Sequence, residues 1–312
     1  MKLKSITVTA PASVSNIGCG FDVMGFAIHL VSDELTLSIA KDHNDIKFKN
    51  IVGDSGRLSR NINKNTCTIA IKSLLDSRNI KTGLNLSLKK KIGFGSGLGS
   101  SAASAVAGVY AVNKLLNLNL SKSELLEHAI AGESFASDAI HADNVAPSLF
   151  GGFILIRSYN PIDIIKIDAP KNLFCTIIFP QIEIKTSEAR KIIGKNIPLK
   201  NAITQWGNVG ALISGIYQKN FDLIGRSIND VVAEPKRSKL IPGYDAIKQT
   251  ALEAGAYGCN ISGSGPAIFA LSNSKSNAEK IGRAMKVAAK KVNLASKLYI
   301  SKINSIGPKV IK

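Results

Sequence analysis

The sequence predicts a two-domain α+β protein, and three observations predict it. A run of glycine and serine from Gly93 to Ser101 opens directly into a long alanine-rich apolar stretch, a loop feeding a buried helix. The second half reads strand, helices, two closely spaced strands, helix, strand, which is the order of a split βαβ layer. The 312 residues include 45% hydrophobic and 20% charged side chains, with no low-complexity linker and no internal repeat. That is enough chain for one or two cored units. The halves are expected to meet between residues 155 and 170, giving domains 1–160 and 161–312 with the ligand site in the cleft between them.

Taken in order, Ser5 to Ala10 alternates Ile6, Val8 and Ala10 with polar residues and reads as a strand, as do Leu35 to Ala40 and Leu84 to Leu88. Thr66 to Leu75 reads as a helix. The helix from Ser100 to Leu116 has an almost wholly apolar first half and is therefore buried. Ser121-Lys122-Ser123-Glu124 is a capping box. It starts a helix with Leu125, Leu126, Ala129 and Ile130 on its inner side and Glu133 near its end. Pro147 is expected to close the next segment, and Gly151-Gly152 to lead into a strand from Phe153 to Ile156. Beyond it, strands are expected near 173–179, 257–261, 267–271 and 297–303, and helices near 187–193, 203–217, 244–254 and 278–292.

Composition narrows the function classes. No apolar run reaches the roughly 18 residues of a membrane span, and the first residues lack a signal-peptide core. A cytoplasmic protein without a membrane partner is expected. The four cysteines are far apart, with no C-x-x-C pair, so neither a disulfide frame nor a cysteine metal site is read from them. The net charge of +18 raises nucleic-acid binding. Aromatics at 6%, scattered basic residues (Lys89-Lys90-Lys91 apart) and the lack of a recognisable binding motif favour solvated charge instead, and no nucleic-acid partner is expected.

The loop carries the chemistry. Glycines let the backbone approach a ligand, and the unpaired N–H groups and macrodipole at a helix start favour phosphate. A ligand-free glycine turn is the bland alternative. A Walker A loop fails because no lysine follows the last glycine. Gly97-Leu98-Gly99-Ser100-Ser101-Ala102 fits a dinucleotide fingerprint, but the segment roughly 20 residues on has no carboxylate to hold a ribose.

Gly95-Ser96-Gly97-Leu98-Gly99-Ser100-Ser101-Ala102-Ala103 resembles the second motif of the GHMP kinases. Ala10 to Asp22 resembles their first motif, and Ser262-Gly263-Ser264-Gly265-Pro266-Ala267 their third. The segments His141 to Pro147 and Glu234-Pro235-Lys236-Arg237 are similar to the homoserine-phosphorylating branch of that family. Two departures stand out: Gly93 replaces a usual proline, and Cys19 stands where a small residue or proline is common. The resemblance implies a ribosomal-protein-S5-like nucleotide domain followed by a ferredoxin-like domain. It also implies ATP and Mg²⁺ as cofactors, homoserine as acceptor, a place in threonine biosynthesis, and a homodimer. Another small hydroxyl acceptor (mevalonate, shikimate or an isoprenoid precursor) is the nearest alternative, and a basic RNA-binding module the distant one.

The site residues follow from the same resemblance. Gly93, Gly95, Ser96, Gly97, Leu98, Gly99, Ser100 and Ser101 would hold the nucleotide phosphates and Asn65 the adenine, with Ser101 and Glu133 as metal ligands. Asn16 and Asp22 would meet the amino end and hydroxyl of the acceptor, and Arg190 and Arg237 its carboxylate, which arginine binds bidentately. His141, Asp143 and Asn144 would line the remaining wall. Asn144 falls where other branches are thought to place a basic aspartate, so direct attack by the hydroxyl, without a general base, is expected. Catalysis is thus expected from Asn144, Glu133 and Ser101.

Overall fold

A single long strand organises the first sheet. The structure, a computed structural model, describes residues 3–136 and 142–312, with backbone alone at Leu30, Val31 and Ala136. Strand β1 (Ser5–Ser15) pairs antiparallel with β2 (Met24–Ile39) on both sides of an irregularity between Pro11 and Ser13. Pro11 has no N–H to give a ladder, so the strand bends there. Beyond the bend lies β3 (Ile46–Val52), then α1 (Thr66–Ser77) crossing to β4 (Leu84–Lys89), which pairs parallel with β3 and antiparallel with β2.

Next come α2 (Ser100–Leu115), α3 (Lys122–Ala136) and α4 (Ala142–Phe150). Helix α2 lies against β1 and β2, with α1 and α3 packed over it. Its alanines and valines are buried on nearly every side, as expected of a helix that is apolar all round. The capping box forms: the Glu124 carboxylate accepts from the Ser121 N–H and hydroxyl, both at 2.9 Å.

Pro147 does not end its segment but lies inside α4. A proline there cannot donate to the carbonyl four residues back, that of Asp143. Gly25 of β2 backs onto this carbonyl, and a Cβ on Gly25 would come within 2.0 Å of it. Helix and strand therefore touch where one lacks a donor and the other a side chain.

The hairpin β5 (Phe153–Tyr159) and β6 (Ile162–Ile167) extends the first sheet from the front of β2. It straddles residue 160, the division expected from the sequence. The chain then builds a second sheet from β7 (Phe174–Pro180). Helices α5 (Thr186–Lys191), α6 (Leu199–Gln218), α7 (Phe221–Ser227), α8 (Glu234–Arg237) and α9 (Tyr244–Glu253) follow. Strands β8 (Gly258–Ile261) and β9 (Ile268–Ser272), helix α10 (Lys275–Lys291) and β10 (Ser296–Lys302) complete the layer. The strand order β10-β7-β9-β8, antiparallel throughout, is the ferredoxin-like split βαβ arrangement. A short β11 (Lys309–Val310) returns to β1 and closes the chain on the first sheet.

Candidate active site

Three loops from distant parts of the chain are knitted around one cavity of about 340 Å³. The glycine loop before α2 touches the loop before β9: the Ser262 hydroxyl donates to the Gly97 carbonyl at 2.6 Å, and the Ala267 N–H to the Ser96 carbonyl at 3.1 Å. The end of β1 joins them, because the Gly263 N–H donates to the Ser15 carbonyl at 3.1 Å and the Asn16 amide to the Gly263 carbonyl at 3.0 Å. Contact this close excludes side chains. Gly97 sits at φ +74°, and a Cβ there would lie 2.3 Å from the Ser262 carbonyl oxygen.

Helix α2 starts on Gly99 without a side-chain cap, so its first N–H groups are left for a ligand. Gly95, Ser96, Gly97, Gly99, Ser100 and Ser101 line the cavity, as does Asn65. Gly93 and Leu98 do not. A Cβ on Gly93 would press on the Phe179 ring at 2.8 Å, and the Leu98 N–H donates to the Ser96 hydroxyl at 3.2 Å, away from a ligand. The Asn65 carboxamide is engaged locally: it accepts from the Cys67 N–H at 3.1 Å, capping α1, and donates to the Ser59 carbonyl at 2.9 Å. The adenine contact expected of it competes with that cap.

One turn into α2, the Ser101 hydroxyl donates to the Glu133 carboxylate at 2.8 Å. Burial pushes the Glu133 carboxyl up to about 7. Among the described residues no group of three or more His, Cys, Asp or Glu could hold a metal ion. A hydroxyl and one carboxylate facing a phosphate loop fit Mg²⁺, which takes hard oxygens and retains waters and phosphate oxygens in its shell.

Below the loop lies a pair that the sequence reading passed over. The Lys90 ammonium, buried, forms an ion pair with the fully buried Asp33 and donates to the Ser100 carbonyl at 2.7 Å and the Ser104 hydroxyl at 2.8 Å. Asp33 also accepts from the N–H groups of Lys91 and Ile92. The signal was present in the basic triplet. At the end of β4 and just past it, Lys89 and Lys91 are exposed and the middle lysine is buried.

The acceptor side gathers the expected charges. Arg190 Nη2 donates to Asp22 Oδ2 at 2.6 Å, while the buried Nε of Arg190 has no hydrogen-bond partner among the described residues. Both guanidinium groups, of Arg190 and Arg237, stand over the Phe21 ring, at 5.6 and 5.2 Å from its centre. Arg237 is 4% exposed and donates to the carbonyls of Ala189 at 3.1 Å and Gly263 at 2.7 Å. It is no surface charge: burial lowers it to about 10. The Asn16 side chain accepts from the Asp22 N–H at 3.0 Å.

The Asn144 carboxamide is fixed at both ends, accepting from the Ser13 hydroxyl at 2.9 Å and donating to Ser15 at 3.0 Å. Beside it, Asp143 is 2% exposed, and burial together with the nearby Asp22 raises it to about 7. His141 lies outside the described residues.

An uncapped helix start wrapped by glycine loops, a hydroxyl–carboxylate pair and an adjacent charged acceptor pocket define a phosphotransferase of small-molecule type. Models of the GHMP kinases N terminal domain and the GHMP kinases C terminal match residues 65–152 and 212–290, and the chain belongs to the GHMP kinases. Within that superfamily it is a member of the homoserine kinase family. It is 47% identical to a homoserine kinase of Chlorobaculum tepidum over 99% of both chains. It is 37% identical to a homoserine kinase of Pyrococcus furiosus over 95% of this chain and 97% of that one. A crystal structure of homoserine kinase from Cytophaga hutchinsonii matches with a TM-score of 0.97 at 50% identity, covering 100% of this chain and 98% of that one. An L. major mevalonate kinase shares the fold, with a TM-score of 0.72 at 17% identity over 95% of both chains.

Proposed function

We propose that this chain transfers the γ-phosphoryl group of ATP to the side-chain hydroxyl of homoserine, within the cytoplasm. The observation that carries the reading is the juxtaposition in one cleft of the uncapped α2 start with Asp22 and Arg237, Asp22 being bonded in turn to Arg190. Backbone N–H groups of Gly95 to Ser100 cradle the phosphates. Ser101 and Glu133 hold Mg²⁺, which when bound neutralises charge on the transferring group.

Asp22 receives the homoserine ammonium, and Arg190 and Arg237 its carboxylate. In the described structure Asp22 and Arg190 neutralise each other. A zwitterion supplies both opposite charges, so it can part this pair and pair with each member. The Nε of Arg190, buried without a partner among the described residues, then gains an acceptor.

Asn144, locked by Ser13 and Ser15, fixes the wall at which the hydroxyl stands. The hydroxyl oxygen bonds to the γ-phosphorus, the bond to the bridging oxygen breaks, and the hydroxyl proton leaves as the ester forms. A loose transition state asks little basicity of the protein, so the attack is direct. The test is ADP release measured with and without homoserine, with the product mass determined. Release that depends on homoserine and yields its monophosphate ester supports the reading. ADP release indifferent to homoserine overturns it.

A further inference from the structure

Asp22 stands in a backbone conformation that has to be held. Its φ is +61°, left-handed backbone that side chains other than glycine seldom adopt, although aspartate takes it more readily than most. Such a conformation is costly and persists only where the surroundings fix it. Here both backbone groups of Asp22 are engaged. Its N–H donates to the Asn16 side chain at 3.0 Å, and its carbonyl accepts from the Tyr159 hydroxyl at 2.5 Å. The next carbonyl, that of Val23, accepts from the Ile156 N–H at 2.8 Å, so β5 grips the turn at two places.

Tyr159 is the last residue of β5, half-buried and packed against the core. Burial, with Asp143 and Asp22 nearby, pushes its hydroxyl above the ordinary range, so it remains a donor. It does not line the cavity that holds Asp22, Asn16 and Arg237. Whatever it does for the site, it does through Asp22.

We propose that Tyr159 is a positioning residue for the acceptor: its hydroxyl locks the Asp22 carbonyl and thereby aims the Asp22 carboxylate at the acceptor's ammonium. This deepens the homoserine reading and rests on it. Without acceptor, Asp22 is also held by its side chain, through Arg190 at 2.6 Å. A bound zwitterion parts that pair, and the left-handed turn then depends on its backbone ties. The Tyr159 hydroxyl therefore matters most in the complex.

A purely structural tyrosine and a positioning one move different quantities. The ammonium lies away from the reacting hydroxyl and keeps its contact from the bound state to the transition state. Loss of that contact raises KM and leaves kcat in place. An acceptor without an ammonium is indifferent to it.

The experiment is ADP release by the wild type and Tyr159→Phe, with homoserine and with 4-hydroxybutyrate, which lacks the ammonium. Tyr159→Phe should raise the KM for homoserine about tenfold and leave kcat and the KM for ATP within about twofold. Its kcat/KM for 4-hydroxybutyrate should stay at the wild-type value, so the preference for homoserine falls about tenfold. Poor folding of the variant lowers both acceptors alike, and the ratio between them reads the folded enzyme alone. An unchanged KM for homoserine, or an equal loss with both acceptors, would overturn the positioning role and leave the kinase reading standing. A wild type that releases ADP no faster with homoserine than without it would remove both.

Discussion

Asp143 separates two accounts of the reaction at a single atom. Its native carboxyl is raised from an ordinary 3.8 to about 7, so the folded protein holds a proton that the unfolded chain releases. Stability from this group is therefore lost as pH climbs from about 4 to about 7 and stays lost above that, a penalty of a few kcal/mol in order of magnitude. Asp143→Asn should raise the melting temperature at pH 8 and lose that advantage towards pH 5, as read by calorimetry without substrates. The same variant should keep substantial turnover if attack is direct. Abolished turnover in a folded, ATP-binding Asp143→Asn protein would make Asp143 the base.

At the metal position, Ser101→Ala and Glu133→Gln should each lower kcat by about 10²-fold or more. Near-normal turnover of Glu133→Gln at low Mg²⁺ would contradict its role. At the acceptor, Arg190→Met should reduce kcat/KM for homoserine by roughly 30-fold to several thousand-fold and leave the KM for ATP in place. Arg237→Met is a less clean probe. It also unties the Ala189 and Gly263 carbonyls, so it should lower thermal stability and disturb ATP as well.

Among the elements, those marked by an apolar run or by a cap or glycine loop at their start were legible in the sequence. The buried α2, the capped α3 and the ferredoxin-like strands fall within a few residues of expectation. The front of β2 was not, because Met24 to Ile28 is buried on both faces and shows no alternation. Helix α4 was misread at Pro147, since only the Gly25 contact from another strand explains a proline there. In the site, motif residues were legible because their chemistry is local. The ties of Asn144 and Arg237 were not, because their carboxamide and guanidinium partners come from elsewhere in the chain.

The Lys90–Asp33 pair belongs to this scale too, for it fixes the edge of β4 under the α2 start. Asp33→Asn leaves a buried ammonium without its counterion, and removing one partner of a buried pair costs about 3–5 kcal/mol. Denaturant unfolding should show that loss. A change under about 1 kcal/mol would mean that Lys90 reaches water.

Across the whole molecule, the site forms where two halves meet. One supplies the phosphate loop, Asp22 and Glu133, and the other the arginines and the loop that closes over Gly97. The central claim is that the cleft selects a zwitterion, since it offers an anion and two cations beside the phosphate site. The most direct measurement is one ADP-release assay comparing homoserine with 4-hydroxybutyrate, which lacks the ammonium, with 3-aminopropan-1-ol, which lacks the carboxylate, and with mevalonate. Removing one partner of a charge pair that the bound acceptor desolvates costs roughly 2–5 kcal/mol, so each analogue should lose at least about 30-fold in kcat/KM. Equal turnover of homoserine and either truncated analogue, or preference for mevalonate, would contradict the account.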